Sequence, residues 1–257
     1  MPPRSHGRAR RRLGARLLRV LFETLAGTVA ATTTPGAWWC GMRTVAFDGT
    51  SLQLPDRSPV TGRFPKRSGT EREFGYPLMR LVTLVETGTR AIIAAAFGPE
   101  SVGERPYATR LLGHLEANML VLADAGFDAI GFLRGIQATG TQFLVRSSAA
   151  RRPLVQDRLP DGSYLTRLSA PYRARHGYGL LTVRVIEAWI TVTLADGTVR
   201  REQWRLVTSL LDHERHPADR LVTLYHERWQ AETCYASVKA ALLDGRVLRS
   251  GHPVDGP

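Results

Sequence analysis

The segment LYHERWQAETCYASVK, residues 224–239, carries Tyr225, Arg228, Glu232 and Lys239 among apolar neighbours. On an α-helix that turns about 100° per residue, these four fall inside a stripe about 60° wide. Leu221 shares the stripe and Trp229 flanks it. A phenol, two cations and a carboxylate running beside large apolar groups suit a helix that packs on a core and also presents chemistry. The competing reading is a solvated face of ordinary salt bridges.

Two further acids end apolar runs, Asp48 after TVAF and Asp124 after MLVLA. Charged side chains are seldom buried unless they are paired or bind metal. Carboxylates from two neighbouring strands, joined by Glu232 from a helix, have the donor type that Mg2+ accepts together with waters and phosphate oxygens. Two such ions about 3.5–4 Å apart can activate a water or a 3′-hydroxyl and stabilise the leaving oxygen of an in-line displacement. Each acid alone has a plainer reading, since Asp48 before Gly49 is also a turn former, and spacing by itself assembles no triad. Other candidates are weaker. His114, His213, His216 and His226 have no Cys or His at zinc spacing. Ser209 and Ser237 lack the strand–turn–helix context of an activated nucleophile. Gly49, Gly126 and Gly197 form no phosphate loop. Trp189 and Trp204 have the side chain that stacks on unpaired bases, though a Trp on a strand is more often core.

The elements that must position these residues follow from periodicity. MRTVAFDGTSLQLPD reads as a strand, a turn at Gly49 and a second strand, with Asp48 closing the first. LMRLVTLVETGTRAIIAAAFGP reads as two strands around Glu86, Thr87 and Gly88. ERPYATRLLGHL reads as a helix, NMLVLADAGF as a buried strand ending at Asp124, DAIGFLRGIQATG as a short helix and TQFLVRS as another strand. Residues 150–208 alternate like antiparallel strands, with Asp196 and Gly197 as a hairpin turn. Pro217 opens a helix expected to run to about Leu243. The expected organisation is a basic, helical or flexible segment over 1–35, the first part of an α/β core over 36–149, a β-rich insertion over 150–208, and a helical region completing the core over 209–257.

Composition narrows the partner. Lys and Arg number 35 against 23 Asp and Glu, giving a net charge of +12 and a pI near 10.7. That balance fits a polyanion, most often nucleic acid. Arginine enrichment from codon usage is the competing account. Residues 1–20 contain seven arginines. No apolar run approaches the roughly 18 residues of a membrane span. Cys40 and Cys234 have no metal spacing and read as reduced thiols. The expected location is the cytoplasm, in association with the nucleoid.

Three segments resemble the IS4-type DDE transposases of bacterial insertion sequences. VAFDGTSLQLPD is similar to the strand bearing that family's first Asp, and LVLADAGFD to the strand bearing its second. YHERWQAETCYASVK matches the family's Y-x2-R-x3-E-x6-K signature at every spacing, and GRVLRSGHP resembles the segment beyond it. The resemblance implies an RNase H-like mixed sheet with a mostly antiparallel β insertion before the catalytic helix. It implies Asp48, Asp124 and Glu232 as catalytic metal ligands for Mg2+ or Mn2+, two ions in all. Tyr225, Arg228 and Lys239 are then phosphate contacts. The implied activity is DNA transposition, a recombination reaction: strand cleavage at the element's ends, then attack of the freed 3′-OH. The implied partners are double-stranded DNA at terminal inverted repeats, target DNA, and a second copy in an active homodimer. In that family a flipped base sits near a Trp of the insertion; Trp189 and Trp204 both remain open for it. The family often has Arg after its second Asp, where Ala125 stands here, and its chains extend further at both ends. The expectation is therefore a truncated or decayed copy. Two alternatives stay open: a non-catalytic DNA-binding remnant, and a different RNase H-like nuclease.

Overall fold

The computed structural model describes residues 5–68, 73–169, 179–193, 198–226 and 228. Helix α1 (Ser5–Leu25) is kinked at Gly14, whose φ of 67° lies in the left-handed region. The chain then enters β1 (Met42–Gln53), β2 (Leu78–Glu86) and β3 (Ile92–Pro99). Next come α2 (Glu104–Arg110), β4 (Met119–Ala123), α3 (Ile130–Ala138) and β5 (Gln142–Arg146). The insertion supplies β6 (Tyr164–Ser169), β7 (Leu180–Thr193) and β8 (Val199–Thr208), and α4 (Ala218–His226) follows.

These eight strands belong to one sheet, in the order β3-β2-β1-β4-β5-β8-β7-β6, which two further two-residue strands extend among the described residues. β1, β2 and β3 are antiparallel neighbours, whereas β1, β4 and β5 run parallel. The order third, second, first, fourth, fifth with that change of direction is an RNase H-like core. The insertion is not a separate layer. β8 pairs antiparallel with β5, Val207 opposite Val145, so the three added strands widen the core sheet. Their texture in sequence is antiparallel because each pairs with its neighbour in the chain, and their place beside β5 is a long-range choice.

Every residue of β4 is buried, as expected for a central strand of a sheet covered on both faces. On one face α2 and α3 pack Tyr107, Leu111, Phe132, Leu133 and Ile136 against Val45, Phe47, Val121 and Val145. On the other, α4 packs Leu221, Leu224 and Tyr225 against Ala46, Leu120, Leu122, Leu144, Trp204 and Leu206. The alternation along β1 and β4 thus sorts odd positions to the α2–α3 side and even positions to the α4 side.

One local expectation is corrected. No turn forms at Gly49; β1 runs straight through it, with Asp48 opposite Thr83 and Gly49 opposite Val82. The ladder to β2 continues to Gln53. Gly49 is needed for a different reason: a Cβ there would lie 2.8 Å from the carboxyl carbon of Glu104. Among the described residues no helix is long and apolar enough to cross a membrane.

Candidate active site

The parallel pairing of β1 and β4 sets Val45 beside Val121 and Ala46 beside Leu122. Carried two residues further, the same register sets Asp48 beside Asp124, on strands about 4.8 Å apart. Both are even positions, on the side of the sheet that α4 covers. The third parallel strand, β5, ends in Arg146. Two carboxylates and a guanidinium therefore stand just past the point where the parallel pairing of the three adjacent strands ends, near the C-terminal ends of β4 and β5 and within β1, on the side where sites in open α/β sheets gather.

Local bonds shape both acids. The Asp48 carboxylate accepts the Gly49 N–H at 2.9 Å. The Asp124 carboxylate accepts the Gly126 N–H at 2.8 Å, capping a single 3-10 turn over Ala125–Phe127. Asp128, just beyond, has a fully buried carboxylate gripped through both oxygens by Arg151, at 2.8 and 2.7 Å, and by the Ser148 N–H at 2.8 Å. That clamp fixes the loop after Asp124. From the opposite side of the sheet, Glu104 of α2 reaches beneath β1 at Gly49 and beneath the turn at Gly126. Its carboxylate lies 3.7 Å from where a Cβ on Gly126 would be, and it is ion-paired with Arg80 at 2.6 Å.

Helix α4 closes the other side. Tyr225 is 3% exposed. Its hydroxyl donates to the carbonyl of Ala123, the residue before Asp124, at 3.1 Å. Its ring meets Trp204 edge-on with centroids 5.3 Å apart. The resemblance implies a phosphate contact for Tyr225; in this structure its hydroxyl is turned inward and engaged by the strand. Burial pushes the Tyr225 hydroxyl up to about 12, and the Asp124 charge adds to the rise while Arg228 opposes it. Because the folded pKa is raised, the neutral phenol contributes stability that is complete below its unfolded value near 10. That contribution is lost as pH climbs toward about 12. Alkaline unfolding of Tyr225→Phe should accordingly show a shallower pH dependence between about 10 and 12 than the wild type, as followed by circular dichroism; Tyr107 and Tyr164, also pushed up by burial, supply what remains. An identical alkaline profile would show that Tyr225 does not titrate in this range.

Arg228 follows α4 in a turn, its N–H donating to the Tyr225 carbonyl at 3.1 Å. Its guanidinium carbon lies 5.8 Å from the Tyr225 ring centre. Arg146 lies over Trp204 at 5.5 Å and pairs with Glu202 at 3.5 Å. Trp204 itself is core, whereas Trp189 on β7 is 61% exposed with Arg201 stacked 5.3 Å from its ring. Glu232 and Lys239 lie outside the described residues, as does the helix expected beyond His226. The structure thus brings together Asp124, Tyr225 and Arg228, with Asp48 on the neighbouring strand two residues past the last β1–β4 pair.

Among the described residues no three His, Cys, Asp or Glu gather closely enough to hold a metal. Two adjacent strand-end carboxylates are nonetheless hard oxygen donors of the kind Mg2+ or Mn2+ takes, and they fit as part of a ligand set that Glu232 would complete. Arg146 and Glu104 escaped the reading by sequence. A charge closing the third apolar strand, in TQFLVRS, was a usable signal for Arg146; Glu104 gave none, because its approach depends on two glycines distant in sequence. A cleft of about 250 Å3 lined in part by Cys40, Met42, Gln142, Ser209 and His216 opens at the opposite, N-terminal end of the parallel strands, away from the acids.

Comparison with known proteins adds a lineage to this geometry. The family model described as Transposase DDE domain matches residues 39–250. The chain is 28% identical over 250 residues to the transposase InsG for insertion sequence element IS4 of Escherichia coli K12. That alignment covers 95% of this chain and 55% of InsG, so the chain spans about half the length of that relative. Among solved structures, a piggyBac transposase synaptic complex with hairpin DNA aligns over 81% of this chain and 42% of its own, at 10% identity and a TM-score of 0.49.

Proposed function

The chain belongs to the transposase DDE-domain family, and from that premise we propose that it cleaves and joins DNA strands at the ends of an insertion sequence. The observation that supports the reading is the parallel register of β1 and β4, whose last pair, Ala46 and Leu122, lies two residues before Asp48 and Asp124. In the proposed site Asp48, Asp124 and Glu232 hold Mg2+ or Mn2+. When bound, the metal makes a water or 3′-hydroxyl nucleophilic near neutral pH and stabilises charge on the leaving oxygen. The remaining work falls to the chain's own groups. Arg228 grips a phosphate through two parallel hydrogen bonds, and Lys239 adds a point charge further along the strand. Arg146, at the end of β5, adds positive charge beside the acids. Tyr225 holds the Ala123 peptide, and through it the backbone that carries Asp124. The net charge of +12 draws DNA to the surface. Terminal inverted-repeat DNA, target DNA and a second copy of the chain are the partners of this reading.

The test is a labelled duplex bearing the inverted repeat that flanks the gene, incubated with the protein in Mg2+ or in chelator. A nick at the repeat boundary that leaves a 3′-hydroxyl and requires the metal is expected. Binding without cutting would overturn the catalytic reading in favour of a DNA-binding remnant. Cutting of RNA–DNA hybrids or four-way junctions in place of the repeat would assign a different nuclease.

A further inference from the structure

Helix α4 begins without a capping side chain of its own. Pro217 occupies the cap position, its carbonyl accepting the Leu221 N–H at 3.1 Å. Proline has no side-chain acceptor to offer the first exposed N–H groups of a helix, the task that Ser, Thr, Asp or Asn performs. The acceptor arrives from the insertion. Asp161 lies in the turn before β6, and its carboxylate accepts the N–H of Ala218, the first residue of α4, at 3.0 Å. A negative charge at that end also suits the helix dipole.

Asp161 is itself held from beneath. Arg184 of β7 has a fully buried side chain and forms an ion pair with Asp161. Its Nε donates to the Ser163 hydroxyl at 2.7 Å, and Nη1 donates to the His216 carbonyl at 2.6 Å. Each guanidinium nitrogen therefore has an acceptor, the condition for burying such a charge. Burial works against the Asp161 carboxylate, yet hydrogen bonds from Ser163 and the Arg184 charge hold it below the usual carboxylate range. The two acceptor–donor contacts to the helix entrance, at His216 and Ala218, flank Pro217 on both sides.

We propose that Asp161, clamped by Arg184, is a positioning residue that fixes α4 along its axis and so sets where Arg228 stands relative to Asp124. The proposal rests on the function assigned above and deepens it. The helix is pinned at two points: at its start to the insertion through Asp161, and near its end to the peptide before Asp124 through Tyr225. Between them the contacts are apolar, and these tolerate sliding better than hydrogen bonds do. Release of the first pin lets α4 shift along or rotate about its axis, and both motions displace the side chains beyond Tyr225. The β insertion is thereby more than a surface for DNA; it supplies the cap that orients the catalytic helix.

Two variants test this. Ala218→Pro replaces the N–H with a ring carbon in the space the Asp161 carboxylate fills, so it removes the donor and displaces the acceptor together, at the first helical position where proline is tolerated. Asp161→Asn keeps an acceptor and removes the charge. The reporter is Trp204, which meets the Tyr225 ring, labelled as 5-fluorotryptophan, with its 19F resonance assigned by Trp204→Phe. The expected result in each variant is a shifted or broadened Trp204 resonance and about a 10-fold or greater fall in kcat for repeat cleavage. KM for DNA rises less than kcat falls, because the phosphate grip of Arg228 is misplaced and not removed. Folding is checked by Tm, and should Asp161→Asn fail to fold, Ala218→Pro carries the test. A folded variant with unmoved resonance and unchanged kcat overturns the proposal, even if its Tm has dropped, because the link would then be structural only. If the wild-type chain cuts no DNA, that failure falls on the proposed function; the fluorine resonance then decides by itself whether Asp161 sets α4.

Discussion

Asp124→Asn should abolish metal-dependent cleavage, by at least about 10²–10³-fold, while the protein stays folded. The substitution is nearly isosteric. The retained carbonyl oxygen can still accept the Gly126 N–H, so the turn over Ala125–Phe127 persists. What goes is one negative charge and one anionic donor to a hard cation. The same reasoning holds for Asp48→Asn, whose amide oxygen can still accept the Gly49 N–H. In the proposed site the two acids act as a unit, so the double variant should be little worse than either single one, because such groups are not additive. Single-turnover cleavage of the repeat duplex measures the loss, and calorimetric titration with Mn2+ measures the weakened metal binding. An Asn variant at either position that cuts at the wild-type rate would remove that residue from the site.

The second large effect is on stability and lies at the far end of the sheet. Glu86 closes β2, and its side chain is fully buried. One of its oxygens accepts the Val29 and Ala30 N–H groups, at 3.2 and 2.9 Å, and the Thr89 hydroxyl. The other is ion-paired with Arg43, which also lies 4.4 Å from the Trp38 ring centre. One carboxylate thus ties the segment after α1 to two strands of the core. Glu86→Ala removes the partner of a poorly exposed guanidinium and leaves two amides without their acceptor. The expected cost is about 3–5 kcal/mol, a large part of the roughly 5–15 kcal/mol that holds a domain folded. Urea denaturation should show a lower midpoint with little change in slope. Hydrogen exchange at the Val29 and Ala30 amides should accelerate beyond the global loss. Glu86→Gln, which keeps one acceptor oxygen for the two amides but replaces the oxygen facing Arg43 with an NH2 and removes the charge, should fall between. An unchanged midpoint in Glu86→Ala would mean that water replaces the lost contacts without cost.

Much of the architecture was legible locally. MLVLA reads as a buried strand because apolar β-formers between turn residues have few other places to go, and β4 occupies those residues. The short helix around Phe132 and Leu133 shows its period and appears as α3. The antiparallel texture of the insertion appears as β6, β7 and β8. The turn at Gly49 was misread for a reason: an Asp–Gly pair is locally a turn signal, but nine paired positions with β2 outweigh one local preference. The glycine records a close approach by Glu104, which no local pattern reveals.

The sequence by itself determined most of the elements and their order, the acid that follows β4 and the family signature, because these depend on neighbouring residues and on short spacings. Only the tertiary structure decided which strands became neighbours, and hence that Asp48 stands beside Asp124, that the insertion widens the core sheet, and that Tyr225 faces the Ala123 carbonyl. It alone decided that Arg184, on a strand whose alternation would suit an exposed charge, is buried against Asp161 at the mouth of α4. The physical reason is one of range. Periodicity is set by backbone geometry over a few residues, whereas pairing, burial of charge and capping from a distance are set by the lowest free energy of the whole packed chain.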